Sequence, residues 1–317
     1  MVEIRTHVLE TDRGEIVVED GGPVDGLAVV VHPGSPGSRL LFGAGAEVAS
    51  RSGLRLVSFD RPGYGSRPAV PGRTVADTAV ETGMVADRLG LERFAVWGFS
   101  GGGPYALACA AMMPARVVAA CVFASPAPYA PEDFDYAEGW SDGARAELER
   151  YFTDRETARA NWRQDAESML ARFSDPEGWL ERWGDRAEQD VAHSREVAEY
   201  LAADVRESLG NGDQGWWDDW VSLIEPWGFD LTGIHVPVRL WHGARDRNMP
   251  LVHGQRIAQL VPGIEASFTD EDHTTIEDDH RIEAYEWLTS RWQADRSVGT
   301  AVHQTQTSLM RARERRC

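Results

Sequence analysis

The chain runs to 317 residues, 42% apolar and 26% charged, with a formal net charge of −19 and no lysine among its 32 basic residues. That apolar fraction suffices for an ordered interior, and a field of this sign repels phosphate backbones and anionic headgroups, which argues against wholesale disorder, nucleic-acid binding and peripheral membrane binding. The length fits one large α/β core with a sizeable insertion or two domains of roughly 150 residues each, and the pattern along the chain has to decide between them.

The opening residues, MVEIRTHVLETDRG, carry charges where a secretory signal needs an apolar run. No later stretch approaches the roughly 20 apolar residues of a membrane span, so a cytoplasmic protein is expected. Residues 4–19 read as an antiparallel hairpin about Asp12-Arg13-Gly14, at the edge of a sheet. Residues 27–31 are a continuous apolar run ending in His32-Pro33-Gly34, as in a strand buried on both faces. A helix then ends near Arg51. Strand 54–59, helix 75–89, strand 94–98, helix 104–113 and strand 117–124 follow, and such alternation calls for a parallel sheet covered on both faces. Cys109 and Cys121 lie in these apolar segments and Cys317 ends the chain. Odd in number and without metal-ligand spacing, they predict free thiols, with neither a disulfide nor zinc.

From about Ala127 to Trp227 the strand signal gives way to charged helical stretches such as 144–152 and 191–209. Eight of the twelve tryptophans fall here: Trp140, Trp162, Trp179, Trp183, Trp216, Trp217, Trp220 and Trp227. About three in four of them should pack the insertion, leaving the rest to line a pocket. The sheet resumes with strand 236–241, helix 251–260, strand 265–268 and an amphipathic helix over 281–292. Beyond Arg296 the chain is polar and aperiodic, which predicts a frayed tail over 296–317. The organisation is thus a core of residues 1–126 and 228–295, interrupted by a helical insertion over 127–227.

Chemistry concentrates at Gly98-Phe99-Ser100-Gly101-Gly102, a G-x-S-x-G sequence directly after a strand and directly before a helix. On so sharp a turn the serine is held in a strained conformation with its hydroxyl above the sheet. A serine hydroxyl needs a base in reach, itself held by a third group. The strand over 236–241 runs into a loop carrying Asp246, and the strand over 265–268 into a loop carrying His273, so all three converge above one edge of the sheet. Asp270, Glu271 and Asp272 compete with Asp246, and His242 and His280 with His273, but Asp272 and His280 read best as solvated positions. The acidic run from Asp270 to Asp279 matches no ligand spacing, so no metal or other cofactor is called for. An acyl-transfer site also needs two oxyanion donors. Gly101 N–H is one, and the loop His32-Pro33-Gly34-Ser35-Pro36-Gly37-Ser38 offers the other from Ser35, with Gly34 as the alternative.

These segments together resemble the α/β-hydrolase superfamily: HPGSPGSR from His32, FDRPGYGSRP from Phe59, WGFSGGGPYALACA from Trp97, WHGARDRNMP from Trp241 and EDHTTI from Glu271, in the family's order over nearly the whole chain. The resemblance implies the α/β-hydrolase fold, a mostly parallel central sheet with helices on both faces and an inserted helical cap. It implies Ser100 as nucleophile, His273 as general base and Asp246 as its orienting acid. Asp60-Arg61-Pro62-Gly63-Tyr64-Gly65 looks like the family's structural turn rather than a catalytic segment. Two departures stand out: Pro33 separates His32 from Gly34, and Asp272 precedes the histidine where glycine is usual. Haloalkane dehalogenases and epoxide hydrolases of this fold use an aspartate where Ser100 stands, and proline iminopeptidases usually carry a tryptophan where Gly101 stands, so the residues argue against all three. The expected function is hydrolysis of an ester, thioester or lactone of a small, partly apolar molecule through an acyl-enzyme. The alternatives are a C–C hydrolase, lyase or acyltransferase on the same triad, or a non-catalytic ligand-binding protein.

Overall fold

The computed structural model describes residues 2–183 and 191–314, with backbone alone for 191–193 and 297–314; Cys317 and the end of the expected tail lie outside the described residues. A turn at Asp12 and Arg13 folds β1 (Ile4–Thr11) back on β2 (Gly14–Gly21), with Thr11 opposite Gly14. The sheet is completed by β3 (Leu27–His32), β4 (Leu54–Phe59), β5 (Phe94–Phe99), β6 (Val117–Phe123), β7 (Val238–Gly243) and β8 (Glu265–Thr269). Their order is β1-β2-β4-β3-β5-β6-β7-β8. Only the β1–β2 and β2–β4 pairs are antiparallel; every later pair is parallel.

Strand periodicity assigns the two faces. Phe94 and Val96 of β5 enter one apolar layer with α2 (Val75–Arg88) and α3 (Gly103–Met112), while Ala95 and Trp97 enter the other with α1 (Gly43–Arg51). Because both faces are covered, the central strands are apolar throughout rather than alternating. On the α1 side the layer is largely aromatic. Trp97 and Phe123 lie 4.5 Å apart, Phe123 stacks on Trp241 at 4.8 Å, and Tyr285 packs against Trp97 at 5.3 Å.

Between β6 and β7 the described residues hold no strand. They carry α4 (Asp142–Thr153), α5 (Arg155–Phe173), α6 (Pro176–Trp183), α7 (Val191–Leu209) and α8 (Gln214–Ile224). The α8 helix reaches deepest, since Leu223 and the following Trp227 join the core layer of α2 and α3. The α7 helix docks through carboxylates: Asp204 accepts the Ser38 N–H and hydroxyl, and Glu207 pairs with Arg39, which also holds Asp60 at 2.7 Å.

After the insertion come α9 (Leu251–Leu260) on the α2 face and α10 (Ile276–Glu314) on the α1 face. Strand β7 begins two residues later than the sequence suggests, because Pro237 has no N–H for the ladder and contributes only its carbonyl, to Ala120. The α10 backbone continues as helix past Arg296, where a frayed tail is expected; this stretch lacks proline, and residues 309–314 are all strong helix formers. Among the described residues no helix is long and apolar enough to cross a membrane, and no cluster of three or more His, Cys, Asp or Glu could hold a metal ion.

Phe123→Ala removes the middle ring of the aromatic layer and should cost about 3–5 kcal/mol in urea denaturation, whereas Val8→Thr, at an exposed position of the edge strand, should change stability by less than about 0.5 kcal/mol. Burial pushes the Asp204 carboxyl up to about 6 despite the Ser38 hydrogen bonds. A carboxyl raised in the fold favours its protonated form there, so its contribution is present below the ordinary value near 4 and lost as pH rises through about 6. The thermal midpoint of Asp204→Asn should therefore gain on wild type between about pH 4 and pH 7 and keep a constant difference from it above that. Parallel melting curves across that range would contradict the assignment.

Candidate active site

Strand β5 ends at Phe99, and Ser100 follows at φ 51°, a left-handed conformation that costs a side-chain-bearing residue energy. One 3₁₀ turn, Ser100–Gly102, leads into α3. The turn closes only because its corner lacks side chains: a Cβ on Gly102 would meet the His32 carbonyl oxygen at 2.0 Å, and one on Gly101 would meet Ser35 Cβ at 2.8 Å. The serine is thus lifted above the parallel strands with a helix N-terminus behind it, where N–H groups and the helix dipole face the site.

The structure brings Asp246 and His273 to this serine. His273 Nε2 lies 3.0 Å from Ser100 Oγ, and His273 Nδ1 lies 2.7 Å from Asp246 Oδ2. Asp246 Oδ1 accepts the backbone N–H groups of Asn248 at 2.9 Å and Met249 at 2.8 Å, which fixes the carboxylate from its far side. With its side chain closed to water, Asp246 calls for a proton on Nδ1 and leaves Nε2 as the acceptor for the serine hydroxyl. The competitors are occupied elsewhere. Asp270 is exposed beside Arg245, Asp272 accepts the N–H groups of Thr274 and Thr275, and Glu271 lies 3.6 Å from His280. His280 also pairs with Glu283, and His242 is buried against the Met249 carbonyl at 2.8 Å, its protonation disfavoured by burial.

Both residues proposed for the second oxyanion donor lie against the turn. Ser35 N is 3.4 Å from where a Cβ on Gly101 would stand, and Gly34 packs on Phe99 and Ser100. Behind this loop lies a cluster that sequence reasoning missed, centred on Asp219 of α8. Its side chain is fully buried and accepts from Arg61, Arg73, Tyr105 at 2.8 Å, Tyr64 at 2.7 Å and the Ser35 hydroxyl at 2.7 Å. Burial alone would raise this carboxyl, but Arg61 and Arg73 beside it hold it well below the usual carboxylate range. The one signal available was an acidic pair, Asp218-Asp219, set among Trp216, Trp217, Trp220, Val221, Leu223 and Ile224.

Ser100 and His273 open onto a cavity of about 410 Å³. Its walls are mainly apolar, including Phe42, Phe99, Met169, Phe173 and Leu201, with Asp204 and Arg281 among the polar exceptions. Of the eight insertion tryptophans, Trp179 and Trp183 line it, while Trp140, Trp162, Trp216, Trp217, Trp220 and Trp227 pack within or beneath the insertion.

No curated protein matches the chain. Among solved structures, an alpha/beta hydrolase fold protein from Nakamurella multipartita is 24% identical with a TM-score of 0.63, covering 90% of this chain and 99% of that one. An esterase from Exiguobacterium antarcticum is 20% identical with a TM-score of 0.64, covering 90% and 98%. The enol-lactonase from Burkholderia xenovorans is 16% identical with a TM-score of 0.61, covering 90% and 100%. At these identities the likeness is one of fold. The family model described as the alpha/beta hydrolase fold matches residues 28–279, from the first residues of β3 into α10, and the chain belongs to that family.

Proposed function

We propose that this protein is a serine hydrolase that cleaves an ester, thioester or lactone of a small, partly apolar molecule. The observation that carries the reading is the unbroken relay from Asp246 through His273 to Ser100, opening on an apolar cavity of about 410 Å³. Ser100 Oγ attacks the acyl carbonyl as His273 Nε2 takes its proton, and Asp246 stabilises the imidazolium through Nδ1. The oxyanion is met by N–H groups of Gly101 and of Ser35 or Gly34. The tetrahedral intermediate collapses as His273 protonates the leaving group, and a water activated by the same imidazole hydrolyses the acyl-enzyme. The cavity's aromatic wall suits the apolar part of such a substrate, and the helical insertion that supplies Trp179 and Trp183 acts as a cap. An esterase and an enol-lactonase among the structural neighbours support this class of substrate.

A fluorophosphonate probe followed by intact-mass spectrometry and peptide mapping tests the nucleophile. Wild type should gain one adduct on Ser100, and Ser100→Ala and His273→Ala should gain none. On any ester that wild type turns over, either substitution should lower kcat by at least about 10⁴-fold, and Asp246→Asn by about 10³- to 10⁴-fold with the fold retained. A folded wild type that takes no label sinks the reading in favour of ligand binding. Labelling at Ser100 without turnover of any ester, thioester or lactone redirects it to a C–C hydrolase, lyase or acyltransferase.

A further inference from the structure

Arg61 follows β4 by two residues and is wholly buried. Its Nη1 donates to the Pro33 carbonyl at 3.1 Å and its Nη2 to the Gly34 carbonyl at 2.8 Å. The peptide units joining residues 33–34 and 34–35 are trans, and in a trans unit the C=O and N–H point in opposite directions in one plane. Fixing the Pro33 oxygen therefore turns the Gly34 N–H away from Arg61, and fixing the Gly34 oxygen does the same for the Ser35 N–H. These are the two groups from which the second oxyanion donor is drawn.

Arg61 is held in turn. Its Nε and Nη2 reach the two Asp219 oxygens at 3.2 and 2.7 Å, and the rings of Tyr64 and Tyr105 each lie 5.1 Å from the guanidinium carbon. Asp219 also takes the Ser35 hydroxyl, so Ser35 is gripped both through the carbonyl before it and through its own side chain.

We propose that Arg61, held by Asp219 of the insertion, is a positioning residue for oxyanion stabilisation, setting the planes of the peptide units that present the Gly34 and Ser35 N–H groups to the reacting carbonyl. The proposal rests on the hydrolase reading of Ser100. The guanidinium also polarises both peptide units from behind and so strengthens their N–H groups as donors. Arg73 supplies an internal comparison: it is as buried and also pairs with Asp219, but its other contacts are the Tyr105 hydroxyl and the Gly215 carbonyl, each at 3.3 Å, rather than the loop.

The test compares wild type, Arg61→Met, Arg73→Met and Ser35→Ala in hydrolysis of p-nitrophenyl butyrate, inhibition by phenylboronic acid, and thermal melting. Removing Arg61 should lower kcat about 100-fold with KM within about 3-fold, and weaken the boronic acid, which forms a tetrahedral adduct on serine, in parallel. Arg73→Met deprives Asp219 of an equally buried partner, yet should keep kcat within about 5-fold. Ser35→Ala retains the N–H and loses only the tether, so kcat should fall about 10-fold with the melting temperature near wild type. Equal kcat losses in the two arginine variants, or a loss in Arg61→Met without weaker boronic acid binding, overturn the proposal. Should Arg61→Met fail to fold, wild-type kcat in Ser35→Ala overturns it instead. Failure of wild type to turn over this ester or any other ester, thioester or lactone sinks the hydrolase reading, which is distinguishable from turnover that survives the loss of Arg61.

Discussion

Asp219 carries a charge with no access to water, and the arrangement around Ser100 depends on how that charge is accommodated. Taking a carboxylate out of water costs several kcal/mol, recovered only where partners saturate it. Two arginines, two tyrosines and a serine do so here, drawn from β4's following turn, the residues before α2, α3 and the loop after β3. Such a cluster is a poor source of net stability compared with an apolar core of equal volume, but it admits very few geometries. The apolar contacts of Leu223 and Trp227 are non-directional and specify register weakly; Asp219 could not leave Arg61 and Arg73 without stranding two buried charges. The insertion is therefore pinned in register with the sheet beside the loop that packs on the Ser100 turn.

Sheet order explains why three residues far apart in the chain meet. Strands β5, β6, β7 and β8 are consecutive and parallel, so the loops after β5, β7 and β8 open at the same edge. The chain leaves β6 at that edge too, and the excursion to β7 is free to cover the serine rather than to cross the sheet. Strain at Ser100 is sustained from both sides. Behind it Gly102 lies against the His32 carbonyl, and beside it Phe99 packs on the His273 ring at 5.1 Å.

Ser100, Asp246 and His273 were legible because each lies within four residues of a strand's end: the apolar runs mark the strands, and the first serine, the first carboxylate and the first histidine after the respective runs are the ones that converge. The double covering of the sheet was legible too, since β3, β5 and β6 read as near-continuous apolar runs. The strand edges were not, and Pro237 shows why: β propensity extends through Val236, but a missing N–H moves the start of the ladder. The Asp219 cluster was illegible for a deeper reason. Arg61 and Asp219 are 158 positions apart, and a turn rich in arginine, glycine and proline looks the same whether its cation meets water or a carboxylate. Periodicity reports which face of an element is apolar and carries no information on which buried polar residues meet.

Gly101 shows how closely the insertion and the turn are built together. A side chain there would strike Ser35 Cβ at 2.8 Å and approach Leu223 of α8 at 3.5 Å. The loop could retreat only by stretching the Ser35 hydroxyl from Asp219 and the Gly34 carbonyl from Arg61, both at ordinary hydrogen-bond length. A residue larger than glycine after the serine would thus act on the loop and the insertion together. What excludes a side chain at this position is Ser35, since Leu223 of α8, at 3.5 Å, would stand in ordinary contact with it. The absence of a side chain also leaves the Gly101 and Ser35 backbones in close approach, with Ser35 N 3.4 Å from the point a Gly101 Cβ would occupy.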